Sequence, residues 1–96
     1  MYVMNTGASQ ERYEDKVTAG PGGAMTDDVG VVTGDLTVVT ARRPDGLADV
    51  RVQYTGAEEW YTLTGGPRAV PPGGLRAFHE AVLAAIRAGG AAEVPR

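Results

Sequence analysis

Apolar and polar positions alternate along three stretches, "DLTVVTAR" (35–42), "ADVRVQYT" (48–55) and "EWYTLT" (59–64), all rich in β-branched and aromatic residues. A period of two predicts strands, because successive side chains of a strand point to opposite faces. The connections are short and made of turn formers, so the three strands should run as an antiparallel meander. "RPDGL" (43–47) offers Pro44, Asp45 and Gly46 for a tight turn, and the second connection centres on Gly56 and Ala57. "VGVVT" (29–33) and "RAV" (68–70) are two shorter candidate strands.

The pattern changes period at residue 73. In "GGLRAFHEAVLAAIRAGG" (73–90), Leu75, Phe78, His79, Val82, Leu83 and Ile86 recur on one face of a helix over about 73–88, and Gly89 with Gly90 stops it. Fully burying each large apolar side chain is worth roughly 1.5–3 kcal/mol, so this stripe must cover the sheet. The fold class expected is α+β, an antiparallel meander of three to five strands packed on one C-terminal helix.

A tight turn at Gly56 and Ala57 pairs Tyr54 with Glu59, Gln53 with Trp60, Val52 with Tyr61 and Val50 with Leu63. One face then gathers Val50, Val52, Tyr54, Tyr61 and Leu63, and a two-residue turn at Asp45 and Gly46 adds Val39 and Ala41 to it. The reverse face carries Leu36, Val38, Thr40, Arg42, Arg51, Gln53, Trp60, Thr62 and Thr64. Tyr61 is thereby expected in the core and Trp60 on the uncovered side. The competing arrangement has the 29–33 strand, the N-terminal segment or "PRAVPP" folding across Trp60.

Composition divides the chain. Lys16, Asn5 and Ser9, the only residues of their types, all precede Met25, and the rest is built largely from Ala, Gly, Val, Arg and Thr. Residues 1–26 are read as a flexible acidic leader ending in the breaker "AGPGGA", with Met25 as an alternative start; 27–90 as the folded domain; 91–96 as a flexible tail. The net charge of −3 belongs entirely to the first 28 residues, leaving a neutral folded part with no strong field for a polyanion. There are no cysteines, so neither disulfides nor thiolate chemistry is available, and a cytoplasmic setting is expected. No stretch reaches the roughly 18 apolar residues of a membrane span.

Candidate chemistry is sparse. His79 is the only histidine, and its place in the helix stripe favours packing over catalysis. No serine follows Ser9, which argues against a Ser-His-Asp arrangement. Glu58 and Glu59 diverge as strand neighbours. Asp27, Asp28 and Asp35 match no cation-binding loop, and "AGPGGAMT" lacks the Lys-Ser/Thr ending of a phosphate loop, which leaves it a hinge. The helix carries an alanine strip, Ala77, Ala81, Ala84, Ala85 and Ala88, that lets a second backbone approach but also suits a plain solvated surface.

No catalytic residue, metal ligand or cofactor is therefore expected. The expected role is a noncatalytic protein-interaction or regulatory adaptor, binding a protein partner or a second copy through Trp60, Leu36, Val38, Arg42 and Arg51, since Trp and Arg dominate interface hot spots. The alternatives are a nucleic-acid module using the Arg42, Arg43 and Arg51 hairpin, which Asp45 and Asp49 disfavour, and a small-ligand-binding protein with a pocket near His79 and Tyr54.

Overall fold

The Pro44-Asp45-Gly46 turn sets the register of the central hairpin. In the computed structural model, which describes residues 11–96, Gly46 N–H donates to Arg43 O at 2.9 Å and Arg43 N–H to Leu47 O at 2.7 Å. Gly46 has φ +89°. This is the pattern of a three-residue loop with a left-handed glycine bulge, one residue longer than the two-residue turn expected from the sequence. A one-residue slip turns every side chain of a strand over. Strand β4 (Asp35–Arg42) therefore pairs with β5 (Leu47–Tyr54) as Leu36–Tyr54, Val38–Val52 and Thr40–Val50. Leu36, Val38 and Thr40 point at the helix, and Val39 with Ala41 moves to the opposite face. The expected assignment of these five residues is reversed.

The next connection follows expectation more closely. Gly56 has φ +90°, and β6 (Tyr61–Thr62) pairs Val52 with Tyr61, while Leu63 N–H donates to Val50 O at 3.0 Å. The ladder stops there: Gln53 uses its side-chain amide on Ala57 O, at 3.0 Å, so Trp60 lies just beyond the paired strand. Strand β7 (Arg68–Ala69) pairs with the first half of β5. Tyr61 is half-buried against the core, and Tyr54, expected inside, is 41% exposed at the strand end.

Where a flexible leader was expected, residues 12–18 form the edge strand β1 (Arg12–Thr18), seven residues antiparallel to β4. Tyr13, Asp15 and Val17 face the helix, and the other side is charged. An edge strand buried on one face by so few apolar groups looks polar in sequence, and its charges discourage edge-to-edge pairing. Residues 1–10 of the expected leader lie outside the described residues.

The glycine-rich segment is not a hinge. Gly20 N–H donates to Ile86 O at 2.9 Å, and Gly90, Ala91 and Ala92 donate in turn to Pro21, Gly22 and Gly23. This places the loop on the end of α1 (Gly74–Ala88). From it emerge β2 (Ala24–Thr26) and β3 (Gly30–Val32), a hairpin lying along the far edge of β6 through Asp27 N–H to Thr62 O and Thr64 N–H to Met25 O, both 3.0 Å. The expected flexible tail is likewise built in: Ala92 and Val94 are buried, Ala92 O accepts from Met25 N–H, and Val94 N–H donates to Thr64 O.

Among the described residues the result is a five-stranded antiparallel sheet in the order β1-β4-β5-β6, with β7 beside β5, and the two-stranded β2-β3 sheet, with a single helix, α1. The helix buries the six residues expected, Leu75, Phe78, His79, Val82, Leu83 and Ile86. They pack on Leu36, Val38, Val50, Val52 and Leu63, all at most 1% exposed. Among the described residues no helix is long and apolar enough to cross a membrane.

Candidate functional site

The face of the sheet turned away from α1 is the surface left uncovered among the described residues. Alternation places Arg12 and Glu14 of β1, Val39 and Ala41 of β4, and Asp49 and Arg51 of β5 on it. Trp60, carried past the end of the β6 ladder, leans on the same surface and keeps 38% exposure. With Arg12, Val39, Ala41, Asp49 and Arg51 it walls a shallow recess of about 280 Å³.

Charge in the recess is unevenly satisfied. Arg12 is paired with Glu14 at 3.0 Å, and Asp49 receives Arg43 at 3.6 Å. The Arg51 guanidinium forms no ion pair or side-chain hydrogen bond among the described residues. A free guanidinium therefore stands beside an exposed indole on a floor of Val39 and Ala41. Such a surface can accept an apolar group and a carboxylate together.

Of the five residues expected to form this surface, the fold brings together Trp60 and Arg51. Leu36 and Val38 are fully buried beneath α1, which corrects their placement. Arg42 lies on the helix side, where its Nε and Nη2 donate to Glu11 Oε1 at 3.2 and 3.1 Å. Val39, Ala41 and Arg12 were missed. The first two depend on the glycine bulge at Gly46, whose signal was present in "PDG"; Arg12 depends on β1, which has no apolar run to announce it.

A second polar cluster is internal. His79 on α1 is 1% exposed and Thr40 on β4 is 0%; Thr40 Oγ1 lies 2.7 Å from His79 Nδ1, and His79 Nε2 lies 2.9 Å from Asp15 Oδ2. An ionised carboxylate can only accept, so Nε2–H donates to Asp15; in the neutral imidazole Nδ1 then accepts from the Thr40 hydroxyl. Tyr13 stacks on the imidazole at 5.8 Å between ring centroids. Its hydroxyl donates to Glu11 Oε2 at 2.9 Å, and this bond with partial burial raises the phenol above its ordinary pKa, keeping the ring neutral.

The order Thr-His-Asp has the connectivity of a nucleophile, base and orienting acid. The hydroxyl is fully enclosed, and the cluster ties α1 to β1 and β4. Thr40→Val and His79→Leu should each cost roughly 1–3 kcal/mol by stranding the other partner, whereas the double variant should cost less than their sum. Urea unfolding of the four proteins checks this; strict additivity would mean the two groups are not coupled.

Set against family models, curated proteins and solved structures, the chain matches none.

Proposed function

We propose that the domain is a noncatalytic interaction module that docks an extended protein segment on the open sheet face, Trp60 receiving an apolar side chain and Arg51 an acidic one. The observation that carries this reading is the juxtaposition of an exposed indole and an unpaired guanidinium in one recess. Exposed aromatic and Arg side chains are the usual energetic centres of protein interfaces. Charge complementarity selects an acidic partner, because Arg12, Asp49 and Arg43 already satisfy one another or a neighbour and Arg51 does not. A cytoplasmic adaptor or regulatory role fits the cysteine-free sequence.

The nucleic-acid reading has less support. Arg42 is held by Glu11, and Arg43 by Asp45 and Asp49, which leaves Arg51 alone to meet a phosphate.

Selection of a random peptide library on the immobilised protein, with Trp60→Ala as counter-target, tests the proposal. Enriched peptides should place an apolar anchor next to Asp or Glu and shift the Val39, Ala41 and Trp60 indole resonances. Trp60→Ala and Arg51→Glu should each weaken them about 30-fold, the effect of losing a hot spot worth about 2 kcal/mol. Peptides whose shifts map elsewhere, or binding that survives both substitutions, would remove this assignment; concentration-dependent self-association abolished by the same substitutions would make a second copy the occupant instead.

A further inference from the structure

A second concavity lies on the other side of the molecule, where the first turns of α1 meet the segment after β7 and the end of the described chain. It measures about 480 Å³, within the size range of small-molecule sites. Its walls are apolar: Phe78, Ala77 and Ala81 from the helix face Pro71 and Pro72, and Pro95 closes one end. Two of the five alanines of the helix's strip thus have a place in the fold. Ala77 and Ala81 are one helical turn apart and remain exposed, and with no side chain beyond Cβ they leave the volume that a larger residue would fill.

Among the described residues, the charged side chains lining this groove are those of Arg68 and Arg96. Arg68 is half-buried at the start of β7 and forms no ion pair among the described residues. Its guanidinium makes one long bond, Nη2–H to Gly65 O at 3.3 Å, and its Nε is buried without an acceptor. Buried donors left unpaired are uncommon, because the group gives up its water without compensation. A cation in this state beside an apolar cleft is complementary to an anion that carries its own apolar body. Arg is also the side chain whose planar fork best matches a carboxylate.

We infer that the groove binds a small amphipathic carboxylate, its acyl or aryl body lying between Phe78 and the two prolines and its head on Arg68. The helix supplies the floor and β7 supplies the cation, so the site exists only in the folded domain. It shares no residue with the Trp60 recess and stands or falls independently of it.

Octanoate and octanol, equal in chain length and different in charge, are the probes. Titrated into the ¹⁵N-labelled protein, octanoate should give saturable shifts at Ala77 and Ala81 and move the Arg68 Nε–H resonance downfield as the guanidinium gains an acceptor. Octanol should bind roughly ten-fold more weakly or worse, because it forgoes the charge-assisted bond. Arg68→Met, which retains the aliphatic stem, should reduce octanoate to the level of octanol. Ala81→Leu, at an exposed helix position that accepts a larger side chain, should abolish both by filling the cleft. Absence of saturable shifts, equal affinity for the two probes, or shifts centred on Trp60 would each overturn the assignment. The comparison of the two probes on the unsubstituted protein decides the matter even if Arg68→Met fails to fold.

Discussion

Replacing Gly20 with alanine should destabilise the domain by about 3 kcal/mol or more, a large part of the roughly 5–15 kcal/mol that holds a protein of this size folded. The cause is space alone. A Cβ on Gly20 would overlap the Arg87 carbonyl oxygen and stand 2.8 Å from the Ala88 carbonyl carbon, and both are backbone atoms of the last helical turn that cannot rotate away. Relief would require the loop to lift, breaking the Gly20 N–H to Ile86 O bond and the series that follows it to Ala92. Gly89 meets the same loop from the other side, its Cβ overlapping Pro21 O. Gly56 is the control: its φ of +90° strains any other residue, but nothing lies within 4 Å of its Cβ. Gly56→Ala should therefore cost only roughly 1 kcal/mol. Chemical denaturation of both variants separates the two effects; equal losses would mean that the glycine loop does not press on the helix end.

Leu36→Ala should cost about 2–5 kcal/mol, the range for deleting a fully enclosed leucine side chain. Trp60→Ala should lie within about 1 kcal/mol of the parent. The contrast tests the orientation of the whole sheet. Leu36 is 0% and Trp60 38% exposed, and a one-residue slip of β4 against β5 would carry Leu36 out to the face on which Trp60 stands. Urea midpoints for the two variants, with far-UV spectra to confirm that Trp60→Ala retains its secondary structure, give the answer directly. A small loss for Leu36→Ala with a large one for Trp60→Ala would place the indole in the core and end the docking proposal.

How much of this was legible in the chain depended on how many consecutive residues carried the same signal. The α1 stripe repeats over three turns, and all six residues it selects are buried. The β5 pattern, Ala48, Val50 and Val52 inward, is equally redundant. Strand β4 is not, because Leu36 and Val38 compete with Val39 and Ala41 for the inside, and apolar residues occur on both faces. Only the turn could choose, and it chose through one extra residue at Gly46. Strand β1 was illegible for a different reason: Asp15 occupies an inward position, and a carboxylate there makes sense only once His79, 64 residues away, is beside it.

By itself the sequence determined the elements with an internal period: a C-terminal amphipathic helix, the strands around it, and the need for one to cover the other. Tertiary structure alone decided which side of β4 faces the helix, that the segments at both ends of the domain join it, and that Arg51 rather than Arg42 is left without a partner. The physical reason is range. Periodicity reports burial along neighbouring residues, whereas pairing register, edge strands and ion pairs are set by groups far apart in the chain, whose meeting no local pattern records.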